Sequence, residues 1–363
     1  MKQYVINKTD LIHNIDIIKD KAGDTRIIAV LKGNGYGIGL CEFAKVLSER
    51  GIDFFAVSEV EEAVSLRAGG FSQDILLITA LADESEIQTC IECDVIMSAT
   101  SPESYERISD IARRMSKSAK VHIKVDTGFG RFGFAPDGVD EAWECINKYD
   151  NILTLGVYSH FSFSFSPNRR DVESQYEKFV SFTQVLADKG ADNLLKHICN
   201  SCAFLQYKDM HQDAVRIGSA FLGRIPLTEK YGLRRIGKLR ADVAEVRTLP
   251  KGHFVGYANT YKTKRETKIA VIPIGYKDGF GVEKSRDTFR VIDVLRYMYH
   301  DLLSVGKKNT VEIGGKKCPL IGRISMCNVV ADVTGLDVSA GDIAEADANP
   351  ITLGADVERV YEQ

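Results

Sequence analysis

The chain has 363 residues, of which 44% are hydrophobic and 27% charged, as is typical of a globular protein with a large core and room for two domains. Its net charge of −3 gives no reason to expect nucleic acid or an anionic membrane surface as a partner. No apolar run reaches the roughly 18 residues of a membrane span, and the N-terminus lacks a signal-peptide pattern, so we expect a cytoplasmic chain.

The predicted elements begin with a strand over residues 2–8 and a helix that starts near Thr9 and ends at Gly23. Apolar strands then alternate with helices. The helices are expected at 40–50, 58–69, 83–92, 102–117, 138–149, 172–189 and 202–208. The eight strands are expected at 27–32, 54–57, 75–78, 95–98, 121–126, 155–160, 194–200 and 214–218. Eight such units in about 220 residues predict an N-terminal (β/α)8 TIM-like barrel, with a doubly wound open sheet as the alternative.

The pattern changes near residue 235, where short strands and frequent turn residues predict a second, mostly β domain. We therefore expect a barrel over residues 9–234 and a C-terminal β domain over 235–363, to which the strand 1–8 also belongs. Residues 287–303 have apolar side chains at helical spacing and are expected to form a helical insertion. The strands of this domain are expected at 243–249, 267–273, 311–313, 319–321 and 328–333.

The eight cysteines include two CxxC pairs, Cys90 with Cys93 and Cys199 with Cys202. A zinc site of this type needs both pairs brought together, or histidines at suitable spacing. The two pairs lie far apart in sequence, which favours reduced thiols and no metal site.

The carboxyl ends of barrel strands share one pocket, so the polar residues at those ends are the candidate site. Lys32 ends the first strand, and a desolvated lysine has a lowered pKa that suits covalent or proton-transfer chemistry. An ordinary strand-end lysine that extends into water is an equal alternative. The other residues at these ends are Lys124, Asp126, His160, Asn200, Ser201, Arg216 and Gly218.

The individual motifs are weak by themselves. Ser201, Gly218 and Ser219 suit a phosphate at helix N-termini, but they also suit ordinary turns. The pattern around Lys124 favours a strand-end salt bridge with Asp126. It favours a core role for His160, with hydrogen bonding to the site as the alternative. Tyr257 and Tyr276 stand beside glycines in turns, where packing is usual and acid–base chemistry is the alternative.

Seven segments together resemble the alanine racemase family. These are pyridoxal 5′-phosphate (PLP) enzymes with an N-terminal barrel and a C-terminal β domain, active as homodimers on small amino-acid substrates. AVLKGNGYGIG resembles the signature of the PLP-binding lysine. The other matching blocks follow in the family's order: KVDTGFGRFGF, HICNSCA, VRIGSAFLG, VGYANTY, IPIGYKDGF and PLIGRISMCNVVADVT.

The resemblance implies a role for each matched position. Lys32 would bind PLP and act as the base on one face of the substrate, and Tyr257 of the partner subunit would act on the other. Arg216 would contact the pyridine nitrogen and His160 would hydrogen-bond Arg216. Lys124 matches a lysine that is carbamylated in many relatives and orients the carboxylate-binding Arg131. The remaining implied contacts are Tyr36, Asn200, Ser201, Gly218 and Ser219 for the cofactor, and Tyr276, Met326 and Cys327 for the substrate.

Three departures from the family pattern bear on the substrate. Cys327 stands where the family usually has aspartate, and Ala355 stands where it has a phosphate-binding tyrosine, although Tyr361 lies nearby. The insertion at 287–303 is also unusual. An altered lining could admit a side chain larger than methyl, as in the family's serine racemases associated with vancomycin resistance. Those relatives can carry a membrane domain ahead of the racemase part, so the resemblance also implies, as an alternative, the cytoplasmic domain of a longer membrane protein.

The resemblance therefore implies a PLP-dependent racemase that interconverts the L and D forms of alanine, serine or both, and supplies D-amino acid for peptidoglycan. A barrel decarboxylase of basic amino acids is an alternative, although its Cys-centred C-terminal motif and Gly-rich phosphate loop are not found in that form. A non-catalytic PLP-binding protein is another, but such relatives are usually single-domain barrels.

Overall fold

The computed structural model describes residues 1–166, 168–283, 285–286, 288–306 and 309–363. The chain forms two compact units. One unit is Lys8–Ile236, and the other combines Met1–Asn7 with Gly237–Gln363. Within the described residues, no helix is long and apolar enough to cross a membrane.

The unit Lys8–Ile236 is built on eight parallel strands. These are β2 (Arg26–Val30), β3 (Phe54–Val57), β4 (Asp74–Leu77), β5 (Met97–Ala99), β6 (Ala119–Lys124), β7 (Ile152–Tyr158), β8 (Leu195–His197) and β9 (Ala214–Ile217). Their order is β4-β3-β2-β9-β8-β7-β6-β5. Backbone hydrogen bonds between Ile96 and the strand β4 join the two ends of this order. The sheet is therefore closed, which confirms the predicted barrel and excludes the open sheet.

Helices surround these strands, and their positions follow from local sequence signals. At one helix start, Ser101 and Ser104 cap each other through side chain and backbone, and Pro102 takes the first helical position. The helices are α1 (Lys8–Ala22), α2 (Lys32–Tyr36), α3 (Leu40–Glu49), α4 (Val60–Ala68), α5 (Glu84–Glu92), α6 (Pro102–Arg114), α7 (Val139–Lys148), α8 (Arg169–Asp188) and α9 (Ser201–Gln206).

The barrel core explains why the strands are apolar at consecutive positions. One face of each strand meets the helices and the other meets side chains inside the barrel, so both faces exclude water. The interior cluster consists of Ile28, Val30, Phe54, Ala56, Leu76, Ile96 and Ala214, all buried.

The other unit is mostly β, as predicted. Its six-stranded sheet has the order β16-β15-β18-β10-β1-β19, and a three-stranded sheet has the order β11-β14-β17. The strands are β1 (Lys2–Asn7), β10 (Lys238–Asp242), β11 (Glu245–Leu249), β12 (Phe254–Val255), β13 (Tyr261–Lys262), β14 (Thr267–Ile272), β15 (Thr310–Ile313), β16 (Lys316–Pro319), β17 (Val329–Asp332), β18 (Ile343–Ala346) and β19 (Glu358–Glu362). β1 lies between β10, antiparallel to it, and β19, parallel to it.

Several details of this unit differ from the sequence prediction. The predicted strand at 319–321 is wrong, because β16 ends at Pro319 and Leu320 makes only a single bridge to Ala331. The strands β10 and β19 are rich in charged residues, and β18 is a four-residue stretch with two alanines, so no strand was predicted at these three places. The insertion contains the helix α10 (Val291–Ser304), and Asp287, where the insertion was expected to begin, lies outside the described residues.

Candidate active site

Lys32 stands where the strand β2 gives way to a tight turn. β2 is hydrogen-bonded to β9, with Ala29 opposite Ile217. This register places Lys32 and Gly218 at the same end of two neighbouring strands, the carboxyl end at which barrel sites are built.

This turn is the short segment given above as α2 (Lys32–Tyr36), and its backbone is left-handed over the four residues that follow Lys32. Gly33, Asn34, Gly35 and Tyr36 have φ of 63°, 53°, 63° and 55°. Side chains rarely adopt such angles, so glycine at two of the four positions lowers the cost. The buried Glu62 stabilises the turn by accepting the N–H groups of Asn34 and Ser58, at 3.0 and 3.1 Å.

The Lys32 amine is prepared for chemistry by its surroundings. Lys32 as a whole residue is exposed to solvent. Desolvation of the amine, followed by the positive charges of Arg131 and Arg216, nevertheless lowers its pKa. Among the described residues the amine has no hydrogen-bond acceptor. A lysine with a lowered pKa and no partner is a nucleophile and a proton carrier.

Arg216 lies inside the barrel and is almost completely buried. Its Nη1 donates to His197 Nδ1 at 2.7 Å and to the His197 carbonyl, and its Nη2 donates to the carbonyls of Ser159 and Ile198 and to His160 Nδ1 at 3.2 Å. Its Nε–H has no acceptor among the described residues. Burial lowers the pKa of Arg216 to about 10, so the guanidinium stays charged at neutral pH and keeps one donor available.

The contact between Arg216 and His197 continues to a second buried histidine. His197 Nε2 and His122 Nδ1 are 2.9 Å apart, and both rings are buried. Because Arg216 donates to Nδ1 of His197, that ring is neutral with its proton on Nε2, which then donates to His122. Desolvation and the charge of Arg216 support this state, because they lower the pKa of His122 to about 3 and that of His197 well below its usual value.

Close packing leaves no room to rearrange this chain of rings. A Cβ on Gly156 would lie 2.7 Å from the His122 ring, so only glycine fits there. The His197 ring stacks on Tyr158, with centroids 5.1 Å apart and an interplanar angle of 2°. The network therefore holds the guanidinium of Arg216 in one orientation.

A second group of donors gathers at the ends of β9 and β8. Ser201 Oγ accepts the N–H groups of Gly218 and Ala220 at 3.1 and 3.4 Å, so its own proton is left to donate. A Cβ on Gly218 would lie 2.3 Å from the Tyr36 hydroxyl, which shows how closely Tyr36 approaches this backbone. The Tyr36 hydroxyl and the Ser219 N–H have no acceptor among the described residues. Such converging donors suit an anion with several oxygens.

Asn200 is engaged in the local fold. Its Oδ1 caps α9 by accepting the N–H groups of Cys202 and Ala203, both at 3.1 Å, and it also accepts the Ser164 hydroxyl at 2.7 Å. This contact sets the start of α9 and therefore the position of Ser201.

Lys124 and Asp126 do not form the salt bridge that the pattern favours. The buried Lys124 amine donates to the Val125 carbonyl. Asp126 instead accepts backbone N–H groups from Gly128 through Arg131, at 2.8–3.1 Å. Desolvation lowers the pKa of Lys124 to about 7. Arg131 is exposed, and its guanidinium lies over the rings of Phe129 and Phe132 at 4.6 and 4.7 Å.

In the other unit, Tyr257 is held on a strained loop. Gly256, Ala258 and Asn259 all have positive φ, of 75°, 59° and 52°. The Tyr257 side chain is 70% exposed. Strain of this kind at an exposed aromatic residue is typical of a functional position.

The same unit brings the other predicted residues together. Tyr276 N–H donates to the Ser325 carbonyl at 3.1 Å, and Lys277 N–H donates to the Met326 carbonyl at 3.0 Å. A Cβ on Gly256 would lie 3.2 Å from Arg323 N, so the Tyr257 loop adjoins this segment. Met326 and Cys327 are exposed. Ala355 is exposed too, whereas Tyr361 lies in β19 opposite Ile6.

Sequence reasoning missed three residues of the barrel site: Glu62, His122 and His197. His197 is the first residue of the HICNSCA block. His122 lies two residues before Lys124 in β6, so the alternation of side chains along a strand places His122 and Lys124 on the same face. That signal could have placed His122 inside the barrel. Nothing in the sequence pairs it with His197, 75 residues away. Within the described residues, no group of His, Cys, Asp or Glu is arranged to hold a metal.

Comparisons with known proteins agree with this architecture. The family model of the alanine racemase N-terminal domain matches residues 6–226, and that of the C-terminal domain matches residues 236–355. The alanine racemase of Methanococcus maripaludis is 33% identical over 325 residues, which cover 88% of this chain and 81% of that protein. Alanine racemase 2 of Caldanaerobacter subterraneus subsp. tengcongensis is 32% identical over 345 residues, covering 93% of this chain and 83% of that protein.

A similar solved structure is that of the alanine racemase from the D-cycloserine-producing Streptomyces lavendulae. It superposes with a TM-score of 0.86 at 28% sequence identity, and the match covers 100% of this chain and 97% of that one.

Proposed function

This chain belongs to the alanine racemase family, and from that premise we propose that it is a PLP-dependent racemase interconverting L- and D-alanine, with serine as a second substrate. The observation that carries the proposal is the Lys32 amine, with its lowered pKa and no acceptor, at the end of the strand that adjoins Arg216. D-Alanine formed in this way would be available for peptidoglycan.

The residues of the barrel fit the cofactor by their chemistry. A lysine amine suits the aldehyde, the free Nε–H of a fixed, charged arginine suits the pyridine nitrogen, and the donors of Tyr36, Ser201 and Ser219 suit the phosphate. We propose that residues 9–234 form this PLP-binding domain. In the same scheme, residues 235–363 with the strand 1–8 form a domain that supplies the second proton-transfer group.

Racemisation needs one group to remove the α-proton and another to return a proton from the opposite face. Bound PLP supplies the chemistry of electron withdrawal from the substrate Cα. Lys32 Nζ would carry the proton on one face, and the phenol of Tyr257 from a second copy would carry it on the other. Arg131, oriented by Lys124 once that lysine is carbamylated and therefore anionic, would hold the substrate carboxylate, because a guanidinium binds a carboxylate through two parallel hydrogen bonds.

The role of Tyr257 requires an active homodimer. Its side chain is 70% exposed on a strained loop, which suits a residue that is used by another chain. Tyr276, Met326 and Cys327 adjoin that loop and would line the substrate side of the same site. Cys327 leaves that lining without the negative charge of the aspartate usual in the family, which favours acceptance of serine.

The test incubates the PLP-loaded protein with L-alanine and, separately, with L-serine, and follows each D-enantiomer by chiral chromatography. We expect racemisation of alanine, and we expect Lys32→Ala to reduce the rate by at least about 10³-fold. The control is Lys120→Ala, which alters only a surface ion pair with Asp94. Absence of racemisation of both amino acids, or carbon dioxide release from lysine or ornithine, would overturn the proposal.

A further inference from the structure

The helix α10 presents an apolar surface to water along nearly its whole length. Val291, Leu302 and Tyr299 are 77%, 70% and 66% exposed, and Asp293 is the only residue of the helix that is buried. An isolated helix of 14 residues is marginal in water, and a helix with a broad apolar surface is normally covered. The surface of α10 therefore indicates a contact with another molecule.

The apolar residues have the spacing of a helix-pairing seam. Val291, Leu295, Met298 and Leu302 follow one another at intervals of four, three and four residues, and all are exposed. This is the alternation of a and d positions in a coiled coil, in which each side chain fits between residues of a facing helix. Ile292 and Tyr299 lie beside the seam and widen it. A second helix is thus the partner that this surface fits.

The charges on α10 argue against a membrane as the partner. Arg290 and Arg296 both contact Asp293, and Arg286 pairs with Asp301 through two hydrogen bonds. These pairs leave little net positive charge on the polar side. A helix that binds an anionic bilayer normally has a strongly basic polar face.

We propose that α10 pairs with α10 of a second copy of this chain, antiparallel and about a two-fold axis. The seam complements itself in that orientation, where a positions face d positions: Val291 faces the second copy's Leu302, and Leu295 faces its Met298. The arrangement also brings the amino end of one helix, with Arg290, near the carboxyl end of the other, with Asp301. The helix dipoles then oppose each other, whereas a parallel pair would bring the arginines together.

This contact is independent of the racemase assignment. The segment that leads into α10 begins at Tyr276, beside the Tyr257 loop that we propose to act in a second copy. Proximity along the chain does not place α10 at the same contact as Tyr257, so the proposed pairing rests on the seam and the charges of α10 alone.

Disulfide trapping in the 363-residue chain tests the orientation. In an antiparallel pair, Val291→Cys combined with Leu302→Cys gives a link between residue 291 of one copy and residue 302 of the other. Each single variant then gives no link, because like positions lie 11 residues, about 16 Å, apart along the axis. Linked peptides are identified by mass spectrometry, which also separates them from links of the native exposed Cys327. The matched control is His300→Cys, on the opposite face of the helix.

Two results would overturn the proposal: links between identical positions, as a parallel pair requires, or no 291–302 link above the His300→Cys background. A second measurement replaces Leu295 and Met298 with aspartate and follows self-association by sedimentation. Both side chains are exposed, so the variant is expected to fold, and we expect at least a tenfold weaker association. Unchanged association, or binding of the native chain to phosphatidylglycerol vesicles in place of self-association, would contradict the pairing.

Discussion

The two units hold their candidate site residues in opposite ways. In the barrel, Arg216 and His197 are buried, and each is fixed by several hydrogen bonds from the same chain. In the β unit, Tyr257 and Met326 are 70% and 67% exposed and are positioned only by their backbone. The barrel therefore orients its buried site residues within one chain, whereas the exposed residues of the β unit are available for contact with another molecule.

The difference has a physical origin in burial. A charged group inside a barrel must be paired or its burial costs several kcal/mol, so the sequence supplies partners for it. A phenol or thioether at the surface carries no such cost and needs no partner of its own. Mutations of the buried site residues in the barrel should consequently affect folding, whereas mutations of the exposed site residues in the β unit should affect activity alone.

The largest expected effect is on activity, from Tyr257→Phe. Removal of the phenolic proton carrier should lower racemisation by about 10²–10⁴-fold, while the free energy of unfolding stays unchanged because the side chain is exposed. Exchange of the α-proton with solvent should be impaired more from one enantiomer than from the other. Tyr231→Phe in the barrel is the control. Equal impairment from both enantiomers would contradict a role on one face.

Arg216→Leu should instead destabilise the fold. The substitution leaves the buried carbonyls of Ser159 and Ile198 without their donor, and each such loss costs about 1–3 kcal/mol. We expect a loss of about 3 kcal/mol or more in urea denaturation. Arg131→Leu, at an exposed position, should cost less than about 1 kcal/mol. Similar losses in the two variants would remove the distinction between buried and surface groups.

Lys124 should make the stability depend on pH. Desolvation lowers the pKa of Lys124 to about 7 in the folded chain, from the ordinary lysine value of 10.5 that applies to the unfolded chain. Between about pH 7 and 10.5 the unfolded chain therefore binds more protons than the folded chain. Stability should therefore rise with pH across that window. In carbonate-free buffer, the advantage of Lys124→Met over the native chain should shrink by roughly 3 kcal/mol from about pH 7 to 10. A constant difference would show that the amine keeps its charge.

Gly156→Ala should give the smallest effect. The new methyl group would lie 2.7 Å from the His122 ring and force a local shift that costs about 1–3 kcal/mol. The double variant Gly156→Ala with His122→Ala removes the ring with which the new methyl group collides. Its loss of stability should be smaller than the sum of the two single losses, and a simple sum would mean that the strain lies elsewhere.

The sequence predicted the barrel well because runs such as Ile27–Val30 and Phe54–Val57 are apolar at consecutive positions, which only a strand covered on both faces requires. It predicted the β unit less well, since β19 contains three charged residues among five side chains and β18 is only four residues long with two alanines. The contact of His122 with His197 depends on strand order and ring orientation, and neither can be read from spacing along a chain.

The position of β1 has a consequence for how the protein is made. Its apolar Tyr4 and Ile6 are synthesised before the barrel, yet their neighbours in β10 and β19 follow more than 230 and 350 residues later. During that interval the strand is an unpaired edge, the kind of segment that associates with other chains. The nascent chain should therefore need protection of this strand, and a barrel expressed by itself should start at Lys8.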